Sequence, residues 1–221
     1  MSGGIFDLDN KFNRALSKIV DCVILSILWI VSSVPILTIG ASTTALYYTV
    51  HKVILHNRGY VWRDYWAAFI SNFKKSTIAW CIMLAVAFVF ALDINIMRQF
   101  SELGEKIGSI YTVFYVFLAV EAVWANYVFS YMARFEDKLR RIFRNTLVIM
   151  FVNLIWSLLV LIMFAVACYV VYIFPPVIVI IPAAYMVCLD DVVERVYVKY
   201  MTPEQVAEEK ERNMENAKDA E

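Results

Sequence analysis

Long apolar stretches alternate along this chain with short charged segments, and that alternation limits the fold more than any other feature. The stretches are Ile19–Ile39, Thr77–Met97, Ser109–Tyr131 and Thr146–Phe174, with a shorter one at Pro176–Leu189. An α-helix needs about 20 mainly apolar residues to cross a bilayer core roughly 30 Å thick. Eighteen of the twenty Lys and Arg residues fall in segments that can all be placed on one side of a membrane, and cytoplasmic loops collect positive charge. The expectation is an all-α, polytopic transmembrane helical bundle. A hydrophobic fraction of 62% agrees with it, since globular domains reach only about 45–50% even with Gly counted.

Soluble-enzyme motifs are missing: there is no GxGxxG, phosphate-binding loop, HExxH or GxSxG. Cys22, Cys81, Cys168 and Cys188 each lie within or at the end of an apolar run, and none forms a CxxC pair. Buried free Cys behaves as a small hydrophobe. His51 and His56 are five apart, about 140° around an α-helix, and do not form a paired metal site. No enzyme activity, cofactor, metal or nucleic acid is therefore expected. Met1–Lys18 is polar and amphipathic without a cleavage pattern, so the first apolar run is expected to remain as a span.

The charge rule sets the expected topology. Met132–Asn145, with five basic residues, goes inside; Tyr172–Pro176 is then outside, and the segment after Leu189 inside. Arg98–Ile107 is outside and His51–Lys75 inside. Lys11, Arg14 and Lys18 also favour the cytoplasm, which requires a second crossing, the short span Ser42–Asn57. Pro35 disfavours helix at Val34, Gly40 permits an outer turn, and Ser42 can cap a new helix. Six spans follow, the second and sixth short, with both termini cytoplasmic. The rival arrangement has five spans and an outside N-terminus.

Tyr60–Lys75 spaces Trp62, Tyr65, Trp66, Phe69, Ile70 and Phe73 on one helical face, with Arg63, Asp64, Ser71 and Lys74 on the other. It reads as an interfacial amphipathic helix, in the headgroup region or on the protein's own cytoplasmic surface. The sixth span carries Pro182 and is expected to continue, kinked, toward Tyr200. Thr202–Gln205 matches a capping box. Residues 1–200 thus form the transmembrane domain and 201–221 a charged cytoplasmic tail.

Glu121 stands out because it falls roughly 15 Å into the fourth span, where a bare charge costs several kcal/mol. By helix rise, His51, Asn153 and, slightly lower, Asn126 lie at comparable depth. The expectation is one intramembrane polar layer in which Glu121 hydrogen-bonds His51 or Asn153.

Gly3-Gly4-Ile5-Phe6, Asp21 with Leu28-Trp29, the run from Val34 to Tyr48 (VPILTIGASTTALYY) and Asn72-Phe73-Lys74-Lys75 resemble the YesL family of bacterial membrane proteins. The sharp part of the resemblance ends at Lys75. The family is catalogued as a domain of unknown function, and its members are encoded beside carbohydrate-uptake ABC transporter components and sensor kinases. The resemblance implies the bacterial cell membrane as location, a lipid bilayer around the spans, and a transporter permease or sensor kinase as partner; it implies no oligomeric state. Two functional classes follow: a non-enzymatic accessory or regulatory component linked to carbohydrate uptake or sensing, or a small-solute (sugar) transporter in its own right.

Overall fold

The computed structural model describes residues 4–103 and 110–201 and, beyond them, 204, 206, 207 and 211. Its helices are α1 (Gly4–Ser33), α2 (Ile39–Thr49), α3 (Val61–Glu102), α4 (Tyr111–Arg134), α5 (Leu139–Val152), α6 (Leu154–Ile173) and α7 (Ile181–Tyr197), and no strand occurs among the described residues. Four segments are long and apolar enough to cross a membrane: Leu16–Ser33, Val61–Glu102, Tyr111–Arg134 and Leu154–Ile173. Only 11% of the Leu154–Ile173 window is buried inside the protein. Most of its Leu, Ile and Val side chains, Val160 excepted, face outward as an apolar surface that suits lipid and not water. The chain is a helical membrane protein. The capping box expected at Thr202–Gln205 and most of the charged tail lie outside the described residues.

α1 stops at Ser33, just ahead of Pro35, and a 3-10 turn at Ile36–Thr38 leads into α2. Thr38 Oγ1 reaches the carbonyls of Ser32 and Pro35 at 2.6 and 2.7 Å, and Trp80 Nε1 donates to Ile36 O at 2.8 Å. The turn therefore forms where Pro35 suggested, but two of its details differ from expectation. Ser42 is no cap: it lies inside α2 and donates to Thr38 O at 2.9 Å. Gly40 is an ordinary helical residue, since Gly59 is the glycine with positive φ among the described residues. What demands glycine is a close approach. A Cβ at position 40 would lie 2.7 Å from Ser76 O, 2.7 Å from Trp80 Cβ and 3.0 Å from Phe129 Cε1.

Those neighbours also relocate the turn. Ser76 and Trp80 follow directly on Lys74-Lys75, and Phe129 precedes Arg134 by little more than one helical turn. Gly40 thus packs within about 8 Å, along the helix axes, of the basic ends of the α3 and α4 spans. An outer turn would sit at their far ends. The direction of α1 agrees. Ser26 Oγ accepts from Ala183 N near the start of α7, whereas Ser32, further along the helix, hydrogen-bonds Tyr65 near the start of α3. α1 runs toward the basic end in the same sense as α4 and α7, which pair in parallel through Asn126–Tyr185 and Arg134–Glu194. α2, 11 residues long, turns the chain from α1 into α3 at that end. α2 is not among the helices long and apolar enough to cross a membrane.

The expected interfacial helix is not a separate element either. Its residues are the first turns of α3, which runs unbroken for 42 residues. Its apolar face splits: Tyr65 and Ala68 are buried, whereas Trp62 and Ile70 stay exposed. Conversely, the run expected as one fifth span breaks at Asn153 (φ −110°, ψ 50°) into α5 and α6. In the last segment a 3-10 turn at Pro175–Val179 precedes α7, and Pro182 falls in the first turn of that helix, where it lacks no internal bond and causes no kink.

Between Leu55 and α3 the chain reverses through Asn57 (φ 53°) and Gly59 (φ 87°). Asp64 closes this loop by accepting from Tyr60 N at 2.7 Å and Lys52 Nζ at 2.8 Å. A Cβ at Gly59 would collide with the Asp64 carboxylate. Gly59→Ala should lower stability by about 2 kcal/mol, from the left-handed backbone and the lost carboxylate position together. Thermal unfolding in detergent reads this out, and an unchanged midpoint would show that the loop is not so constrained.

Candidate functional site

The main concentration of buried charge lies at the basic end, where α7, α4 and the segment after α2 converge. Val50–Leu55 continues α2 as a π-helix. Such wide turns are frequent at functional sites. A π-helix bonds i to i+5, so residues five apart nearly stack. His51 and His56 therefore meet, with ring centroids 4.5 Å apart and His56 Nδ1 donating to His51 O at 2.6 Å. The wide angular separation expected of the two rings on an α-helix does not apply here.

On α7, Asp190 and Glu194 share one face by their i, i+4 spacing. His51 Nδ1 donates to Asp190 Oδ1 at 2.8 Å and lies 3.9 Å from Glu194 Oε1. From the last turn of α4, Arg134 forks onto both Glu194 oxygens, Nε at 2.6 Å and Nη2 at 2.8 Å. Tyr47 OH adds a long contact to Glu194 Oε1 at 3.4 Å. The Asp190 side chain is 6% exposed and those of His51, Arg134 and Glu194 are 12%, 14% and 19% exposed. Below them, Tyr197 OH donates to Tyr127 O at 3.1 Å and lies 2.8 Å from Ser130 Oγ, so α4 and α7 are joined by polar contacts over several turns.

His51, Asp190 and Glu194 present ligand atoms within 4.8 Å of one another, a spacing that would suit a metal ion. Charge balance argues otherwise. Arg134 already occupies both oxygens of Glu194, and Asp190 is paired with His51. A divalent cation would have to displace a guanidinium from a bidentate carboxylate contact, among the stronger side-chain hydrogen-bond geometries. The arrangement is an ion-pair network that ties three segments together. Forming such a network adds little net stability, but removing one partner strands a buried charge and costs several kcal/mol.

The expected polar layer does not assemble. His51 engages Asp190. Asn153 donates to Ile149 O at 3.0 Å and to Tyr200 OH at 3.0 Å. Asn126 accepts from Tyr185 OH at 2.8 Å. Glu121 is 8% exposed, and neither of its carboxylate oxygens has a hydrogen-bond partner among the described residues. Equal depth was a poor guide because it says nothing about which way each side chain points around its helix. Sequence reasoning missed the real network: the orientation rule had already accounted for Arg134, and Asp190 and Glu194 fell in the expected continuation of the last helix toward Tyr200. Their i, i+4 spacing was the available signal.

Next to the network a cleft of about 510 Å³ opens between α3 and the α4–α5 connection. Ser71, Asn72, Lys75, Arg134, Glu136 and Asp137 contribute its polar lining, so Arg134 touches both the buried network and the cleft.

A family model described as "Protein of unknown function, DUF624" matches residues 22–94. The match takes in the second half of α1, the turn, α2, the π-helix and most of α3, and it contains His51 but not Arg134, Asp190 or Glu194. No curated protein and no solved structure matches the chain.

Proposed function

We propose that this protein is a non-enzymatic accessory or regulatory membrane subunit of a solute-uptake or sensing system, receiving a partner at the cleft between α3 and the α4–α5 connection. The carbohydrate association of the YesL family, which the chain resembles most sharply up to Lys75, makes a sugar-uptake permease or its sensor kinase the partner of choice. The observation that carries the reading is where polarity is concentrated. The cleft and the ionic network share the basic end, while from Leu154 to Ile173 the buried positions reduce to Ser157 and Val160. A permease of its own would be expected to show polar groups through the depth of the bundle.

The test is co-purification in mild detergent, with the native protein against a Lys75→Glu, Glu136→Lys variant. A permease or kinase retained in stoichiometric amount by the native protein and lost from the variant is the expected result. A lone protein that carries sugar into liposomes would sink the reading. That second reading, transport by the chain itself, has the α5–α6 break at Asn153 and the buried Glu121 in its favour.

The topology that fits the packing has five crossings, by α1, α3, α4, α5–α6 and the Pro175–Tyr197 segment. The basic end then lies in the cytoplasm of a bacterial cell, and the N-terminus opposite the C-terminus. The six-crossing arrangement satisfies Lys11, Arg14 and Lys18 better but needs Gly40 at the outer face. Single cysteines at Ser2, Glu102 and Glu136, in a background without native Cys, decide between them. Ser2 and Glu102 should react with an impermeant thiol reagent in intact cells, and Glu136 should not. A shielded Ser2 would restore six crossings.

A further inference from the structure

The ionic network does not involve Glu121, a buried carboxylate near the middle of α4. It is 8% exposed, neither oxygen has a hydrogen-bond partner among the described residues, and it lies mid-way along a helix long and apolar enough to cross a membrane. On α4 it falls between Phe117, which stacks on Phe90 of α3 at 5.5 Å, and Phe129, which meets Trp80 of α3 at 6.0 Å. Ring contacts thus close the α3–α4 seam on both sides of it.

Among the described residues of the elements packed around α4, no opposite charge is free to pair with Glu121. α4 has no other charged residue between Tyr111 and Arg134, α3 has none between Lys75 and Asp93, and α2 and α6 have none. Arg140, Arg141 and Arg144 on α5 are exposed. On α7, Arg195 is paired with Asp191, while Asp190 and Glu194 are engaged with His51 and Arg134. A metal cation is equally ill served, since Glu121 belongs to no group of three or more metal-ligating side chains among the described residues, and hard cations require several oxygen ligands. A proton is the one neutralising ligand that needs no second donor. An ionised carboxylate left unpaired in an apolar interior takes up a proton in preference to remaining charged.

We propose that Glu121 is an intramembrane proton-binding site: in the closed bundle it is a neutral carboxylic acid, and it can release its proton only when α3 and α4 separate far enough to admit water. The ligand is the proton itself, and the gate is the aromatic seam of Phe90, Phe117, Trp80 and Phe129. The site is independent of the accessory reading, because it concerns the apolar half of α4 and not the cleft.

Infrared spectroscopy of the purified protein in lipid at neutral pH tests this directly. The native protein should show a carboxylic-acid C=O band that moves on 13C-glutamate labelling and disappears in Glu121→Gln. The labelling arm needs no variant and keeps the test valid if Glu121→Gln folds poorly. A second arm compares carbodiimides by mass spectrometry of peptides. The lipid-soluble dicyclohexyl reagent adds across a protonated carboxyl, whereas a water-soluble carbodiimide should leave Glu121 unmodified. A spectrum with no glutamic-acid band, or modification of Glu121 by the water-soluble reagent, would mean a hydrated, charged carboxylate and would overturn the proposal.

Discussion

Arg134→Ala should destabilise the protein by about 3–5 kcal/mol, the range for breaking a buried ion pair from one side. The loss is large because Glu194 would remain, 19% exposed, within 4.8 Å of a second carboxylate at Asp190, with the long Tyr47 contact and His51 Nδ1 at 3.9 Å as its remaining described partners. For a chain of this length that corresponds to a fall in unfolding midpoint on the order of 10 °C. Arg134→Lys should recover part of it, since an ammonium supplies charge but cannot make the two-pronged contact. The double variant Arg134→Ala, Glu194→Ala is the decisive comparison. It removes both charges and should be more stable than Arg134→Ala alone. Simple additivity of the two losses would show that the pair is not coupled and that the network reading is wrong.

That network also marks where sequence reasoning stopped. Apolar runs identified the membrane helices because lipid demands long apolar segments, and four of them appear as helices long enough to cross. Charge then had to decide the order of crossings, and here it and the packing point different ways. Lys11, Arg14 and Lys18 asked for a second span, whereas Gly40, Ser76 and Trp80 pack together at the basic end, and α2 is not among the helices long and apolar enough to cross. Orientation rules describe which side a loop prefers; they carry nothing about the close packing that holds a short helix. His51 was assigned by depth to a polar layer with Glu121, and Arg134 was explained by the charge rule. Their partners on α7, Asp190 and Glu194, are remote from both in sequence, and only the fold brings them together. Glu121 was legible as a buried carboxylate, but its lack of a partner was not, because helix rise gives depth without rotation about the axis.

Gly40→Val should be the most damaging small substitution in the first half of the chain, at about 3 kcal/mol, the upper part of the usual range for overpacking. The added carbon would meet Ser76 O and Trp80 Cβ, both at 2.7 Å, and neither is the far end of a flexible side chain that could swing aside. α2 would have to move away from α3. That shift would strain the Thr44–Ser76 hydrogen bond at 3.0 Å and the Trp80 bond to Ile36 O at 2.8 Å, which together pin the turn. Comparing Ala and Asn at this position separates close packing from a turn requirement. A left-handed turn would accept Asn better than Ala, since Asn visits that conformation with local hydrogen-bonding help. A packing limit reverses the order, because Ala adds a single carbon and Asn a whole amide group besides. Unfolding midpoints in detergent should rank Gly above Ala, and Ala above Asn and Val. If Asn is the better tolerated, Gly40 acts through its backbone after all, and the tight α2–α3 approach is not what holds this end of the bundle together.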